Sequence, residues 1–177
     1  MANENAEIAR GLRRRDPGLL DGLIEQYQHR LLRYLVHLTG RREVAEDLFQ
    51  ETWVRVLERG RQYDGRRDFT AWLFTIARNL FIDQQRRLRP ESGEQTDLPA
   101  SAPSAFDLAA RSEQSERISA GIDRLPSEYR EALSLRFQEG MSLEEIASLT
   151  GAPLGTVKSR IYRGLGAMEP WLKGAGL

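Results

Sequence analysis

Cysteine is absent from all 177 residues, which rules out both a disulfide framework and a thiolate metal cluster and suits a reducing cytoplasm. Long apolar runs are missing too. Nothing approaches the roughly 18 residues of a bilayer span, and Met1 to Arg15 is polar, without the apolar stretch of a secretion signal. A cytoplasmic protein without membrane insertion is expected. Histidine is scarce: His29 and His37 share one helical segment, are expected at the surface, and lack the neighbours of a metal site. No glycine-rich phosphate loop and no serine-nucleophile motif occurs. The expectation is therefore a protein that is not an enzyme, with no catalytic residue, metal or cofactor.

Net charge is also missing, since 26 basic residues offset 26 acidic ones. At first this argues against a nucleic-acid binder. The distribution argues otherwise. Residues 1–89 carry 17 Lys or Arg against 13 acids, residues 90–117 carry 2 against 6, and residues 118–177 carry 7 against 7. The acidic middle segment also holds Pro90, Ser92, Gly93, Pro99, Ser101, Pro103 and Ser104, which break any helical pattern. It reads as a flexible linker between two domains. At roughly 3.3 Å per residue it could reach across more than two turns of duplex DNA.

No strand pattern is present, so the fold class expected is all-α, with two small helical domains. In residues 1–89 a short leading helix is expected around Ile8 to Arg15. Leu20, Leu23, Ile24, Tyr27, Leu31, Tyr34, Leu35 and Leu38 then recur at steps of three and four, before a stop at Gly40. A second long helix runs from about Arg42 to Glu58, with Ala45, Leu48, Phe49, Thr52, Trp53, Val56 and Leu57 on its apolar face. A third starts after Asp68 as N-cap. It turns Phe69, Trp72, Leu73, Ile76, Ala77 and Leu80 inward and ends in Arg86, Arg87 and Arg89 before Pro90.

The final 60 or so residues carry the sharpest local signals. A helix follows Leu125-Pro126 to about Gln138, and Ser142 with Glu145 forms a capping box that starts another. Ile146 and Ala147 face inward, Gly151 makes a turn, and Val157 returns ten residues after Ala147. That spacing is a helix-turn-helix signature over residues 142–168. On the last helix Leu154, Val157, Ile161, Leu165 and Met168 form an apolar stripe, and Thr156, Ser159, Arg160 and Arg163 form a polar one suited to duplex DNA. With Lys158 the helix offers three cations, Lys158, Arg160 and Arg163. They neutralise few phosphates, so unaided binding is expected to be weak and salt-dependent.

Four segments resemble, in order, the motifs of bacterial sigma factors of RNA polymerase, of the sigma-70 family and its extracytoplasmic-function (ECF) subfamily. They are Ala45 to Trp53 (AEDLFQETW), Phe69 to Asn79 (FTAWLFTIARN) with Asp83 and Arg86, Leu125 to Arg130 (LPSEYR), and Gly155 to Arg160 (GTVKSR). The resemblance implies a sigma-two-like helix bundle at 1–89, the linker at 90–117 and a sigma-four-like helix-turn-helix domain at 118–177. It further implies that Asp47, Gln50 and Glu51 grip core RNA polymerase. Thr156, Lys158, Ser159, Arg160 and Arg163 would read the minus thirty-five element. The minus ten element, as promoter DNA both duplex and melted, would meet Tyr63, Asp64, Arg66, Phe69, Trp72, Arg78, Asn79, Asp83, Arg86 and Arg87.

The chemistry of the last set agrees with such a role. Gly60 to Asp68 (GRQYDGRRD) joins glycines, an aromatic ring and arginines just ahead of Phe69 and Trp72, and stacking on aromatics can replace about 1–3 kcal/mol per base lost on melting. Helical spacing with Phe69 and Ile76 gives Trp72 at least an equal claim to the core, so Tyr63, Asp64 and Asn79 are the first candidates for the melted strand. The resemblance also implies an anti-sigma partner. The chain departs from the family at Trp53, where Phe is usual, and at Gly164 and Gly166; two interior glycines, each about 1 kcal/mol worse than alanine, predict early fraying of the last helix. Two other readings stand beside this one: an autonomous helix-turn-helix repressor whose first helices dimerise, and a helical adaptor that binds only protein.

Overall fold

The structure is a computed structural model and describes residues 2–88 and 121–174, so the 90–117 linker lies outside the described residues. Every regular element among the described residues is helical. Contacts divide the chain into two units, one built on α1 (Ala2–Arg14), α2 (Pro17–Thr39) as far as Val36, α3 (Arg42–Arg59) and α4 (Phe69–Leu88), the other on α5 (Ser127–Leu133), α6 (Leu143–Thr150) and α7 (Leu154–Gly174).

In the first unit α1 starts earlier than its periodicity indicated, at Ala2, and stops at Arg14 because Arg15 turns left-handed (φ 54°). Asp16 then caps α2, its Oδ1 accepting from the N–H groups of Gly18 (3.0 Å) and Leu19 (3.3 Å), with Pro17 at the first helical position. The predicted stripe on α2 is buried at Leu23, Tyr27, Leu31, Tyr34 and Leu35, and each such side chain contributes about 1.5–3 kcal/mol. His37, expected at the surface, falls with His37–Arg41 in the second unit and is buried. On α3 the inward face is Ala45, Leu48, Thr52, Trp53 and Val56. Leu57, expected among them, is exposed, one step past the last turn that packs.

Aromatic rings fasten α4 to α2. Tyr34 lies 4.9 Å from Phe74, Tyr27 meets Phe69 edge-on at 5.5 Å, and the Tyr27 hydroxyl hydrogen-bonds the Thr70 hydroxyl (3.0 Å). Asp68 caps α4 as expected, its Oδ1 accepting from Thr70 N–H at 2.8 Å.

In the second unit α5 continues into a π-helical turn, Ser134–Gln138, closed by Glu139 N–H on Ser134 O (3.1 Å). The capping box forms as read: Glu145 N–H donates to Ser142 Oγ (3.1 Å) and Ser142 N–H to Glu145 Oε2 (2.8 Å). Gly151 ends α6 in the left-handed region (φ 68°), which an L side chain resists by about 1–2 kcal/mol. Ile122, Leu125, Leu133 and Met168 make a core with Tyr129 and Ile161 packed on it, and Ile146, Leu149 and Val157 are buried as well. Leu149 is buried where Ala147 is only half-buried, and Leu165, assigned to the apolar stripe, is exposed.

The expected fraying at Gly164 and Gly166 does not occur, because α7 continues through both to Gly174. The two differ in kind. A Cβ at Gly164 would sit 3.0 Å from Leu133 Cδ1 and 3.3 Å from Tyr129 Cβ, whereas one at Gly166 would meet nothing within 4 Å. Gly164 thus lets α5 approach α7. Gly166→Ala is expected to raise stability by about 0.5–1 kcal/mol, and Gly164→Ala to lower it against the fixed Leu133, as opposite shifts in the thermal midpoint.

Candidate nucleic-acid interface

Three surfaces carry the residues singled out from sequence. The first is the outward face of α3, where Asp47, Gln50 and Glu51 are all exposed. Arg55 lies between two acids of this helix, 3.6 Å from Glu51 and 3.2 Å from Glu58. Val54 and Leu57 extend the face with exposed apolar surface that the sequence reading did not assign to it.

The second surface joins the loop before α4 to the helix itself. After a 3₁₀ turn at Gly60–Gln62 the chain sends Tyr63 inward, 2% exposed, with its ring 5.5 Å from Phe69 and 5.0 Å from Trp72. Its hydroxyl donates to Arg67 O at 2.8 Å, and burial, reinforced by Asp68, pushes its pKa up, so it stays a donor. Phe69 is 1% exposed. Both residues therefore differ from expectation. Their rings are enclosed by other aromatics and offer no face to a nucleic-acid strand, so they form the base on which the outer groups rest. Trp72 is half-buried at the rim of this cluster. Asp64 is exposed and its Oδ1 accepts from Arg66 N–H (2.9 Å), which turns the exposed Arg66 side chain outward, 3.6 Å from the same carboxylate. Along α4, Trp72, Asn79, Asp83 and Arg86 follow at steps of seven, four and three, on one helical face with Arg87 beside them. Asn79, Asp83, Arg86 and Arg87 are exposed; Arg78 is half-buried and engaged with other groups.

The third surface is α7. Lys158 and Arg163 are exposed, and Thr156 and Ser159 half-buried. Arg160 is not a free reading group: its Nη2 lies 3.1 Å from Glu128 Oε2 on α5 and its side chain is 23% exposed. The centre of the outward face is instead Tyr162, 81% exposed, three residues after Ser159 and four after Lys158. Sequence reasoning missed it by following only polar residues. Its position off the apolar stripe was the available signal.

Comparison with known proteins adds a second line. The family profile "Sigma-70 region 2" matches residues 23–91, and "Sigma-70, region 4" matches residues 115–168. The ECF RNA polymerase sigma factor SigE of Mycolicibacterium smegmatis is 38% identical over 86% of this chain, which spans 61% of that protein's length. The ECF RNA polymerase sigma factor SigL of Mycobacterium tuberculosis is 30% identical over 92% of this chain and 93% of its own. Among solved structures, the sigma factor RpoE of Bartonella quintana, in complex with the anti-sigma factor NepR, superposes with a TM-score of 0.64 and 26% identity, over 86% of this chain and 97% of that one. With both regions matched in order, and a relative covered almost end to end, the chain belongs to the ECF sigma factors of the sigma-70 family.

Proposed function

We propose that this chain directs core RNA polymerase to specific promoters and opens the DNA there, with residues 1–89 binding polymerase and the minus ten element, 118–177 anchoring the minus thirty-five element and 90–117 tethering them. It acts in the cytoplasm, makes and breaks no covalent bond itself, and is held in check by an anti-sigma partner. The observation that carries this reading is α7, which buries one face and turns Lys158, Tyr162 and Arg163 outward from a helix-turn-helix, in the same chain as a loop that sets the exposed Asp64 and Arg66 ahead of the half-buried Trp72.

In this reading Asp47, Gln50 and Glu51, with Val54 beside them, meet the polymerase. Asp64, Arg66, Trp72 and Asn79 meet the opened strand, over Tyr63 and Phe69. Arg78, Arg86 and Arg87 track its backbone, with Asp83 4.0 Å from Arg86 on the same face, since phosphate contacts position while base contacts specify. Thr156, Lys158, Ser159, Tyr162 and Arg163 meet the upstream duplex, with Arg160 joining only on leaving Glu128.

The test is transcription by core polymerase with and without the full chain, over a library randomised at both promoter elements. The chain is expected to enrich one pair of elements. Tyr162→Ala is expected to relax the upstream element alone, by up to about 1–3 kcal/mol, the scale of one mismatched base pair. Tight, specific duplex binding without polymerase would favour the repressor, and no DNA binding even with polymerase would favour the adaptor.

A further inference from the structure

The loop before α4 is held from outside as well as from within. Its inner ties are the Tyr63 hydroxyl on Arg67 O (2.8 Å) and the Asp64 carboxylate on Arg66 N–H (2.9 Å). The outer tie comes from α1, a helix with no role in the sequence motifs. Asn5 Oδ1 accepts from Phe69 N–H (3.3 Å), one of the N–H groups at the start of α4 that have no partner within the helix. On the same turn of α1, the backbone of Asn5 and Ala6 presses on Gly65. A Cβ at Gly65 would lie 2.9 Å from Asn5 O and 3.2 Å from Ala6 Cα, and Gly65 itself is left-handed at φ 75°. Further along α1, Leu12 sits against Gly60, where a Cβ would lie 3.1 Å from the Leu12 Cβ. The helix therefore runs along the loop from Gly60 to Phe69 and touches both ends of it.

We propose that Asn5 is a positioning residue for promoter opening: from α1 it fixes Gly65 and the start of α4, so that Asp64, Arg66 and Trp72 are already placed when bases unpair. This rests on the promoter-opening reading above. Asn5 touches no DNA in this scheme. It acts through Phe69 and Gly65, and a loop released from it must be ordered during opening instead of beforehand.

The experiment uses holoenzyme assembled from core polymerase and the full chain, on a duplex promoter selected by the wild-type chain from the randomised library. Closed-complex affinity is measured by filter binding, and the opening rate by permanganate reactivity of unpaired thymines. Asn5→Ala is expected to slow opening about fivefold, the scale of one lost hydrogen bond, and to leave closed-complex affinity unchanged. Asn5→Asp, whose carboxylate accepts the same bond at the positive end of α4, is expected to restore the rate. Gly65→Ala, which collides with Asn5 O, is expected to slow opening further with the same selectivity. Opening by Asn5→Ala at the wild-type rate overturns the proposal. So does a parallel loss of closed-complex affinity and opening that Asn5→Asp does not repair, because that is the signature of a general folding defect. A wild-type chain that opens no duplex overturns the promoter-opening reading itself, which separates the two failures.

Discussion

On the proposed contact, replacing Asp47 and Glu51 together by lysine is expected to weaken the grip on core polymerase by about two orders of magnitude, because each change reverses the charge that this face offers its partner. The helix itself should survive. Both side chains are exposed, and the Glu51–Arg55 pair that is lost belongs to the class of surface pairs worth about 0–1 kcal/mol, with Glu58 still 3.2 Å from Arg55. Circular dichroism should therefore be unchanged while polymerase binding, followed by fluorescence anisotropy, collapses. Retained binding would place the polymerase contact elsewhere than α3.

Val157→Asp is expected to have the largest effect on stability. Val157 is 1% exposed on α7, and a carboxylate there would be buried without a partner, at a cost of several kcal/mol. A small helical unit with a total stability of about 5–15 kcal/mol has little to spare. Helical signal from α5–α7 and footprinting of the upstream element should both be lost. Arg163→Ala removes an exposed side chain and should lose the footprint with the helical signal intact. A folded Val157→Asp variant that still protects the upstream element would contradict the core assignment.

What was readable in the sequence was what depends on near neighbours. Ser142 and Glu145 are three residues apart, Asp68 caps the helix that follows it, and Gly151 answers to its own φ, so caps and turn follow from the residues alone. Long amphipathic stripes were equally plain on α2 and α4. What was not readable depended on distant partners. An aromatic residue such as Tyr63 or Phe69 can stack on a base or fill a core, and its enclosure here depends on Tyr27 of another helix and on the neighbouring Trp72. Helical period could not tell where support stops, so Leu57 and Leu165 were placed inside. Gly164 by itself is a weak point in a helix, and its use depends on Leu133 of α5, distant in sequence. The contribution of α1 to the loop could not be read, since nothing in the local sequence links Asn5 to Phe69.

The ion pair between Arg160 and Glu128 bears on how binding responds to ionic strength. A cation that moves from solvent onto a phosphate releases counterions, and the logarithm of affinity then falls with the logarithm of salt by about 0.9 for each phosphate neutralised. Lys158 and Arg163 face solvent, and on the proposed duplex contact each contributes in that way. In the proposed reading Arg160 leaves one anion to meet another, and the vacated Glu128, 61% exposed, returns to solvent while the phosphate sheds its condensed cation. Its transfer still releases a DNA counterion and gives up only a surface ion pair, of a class worth about 0–1 kcal/mol. In the proposed reading the duplex contacts of α7 thus all weaken with salt, and Arg160 differs from the others in what it gives up, not in its salt response.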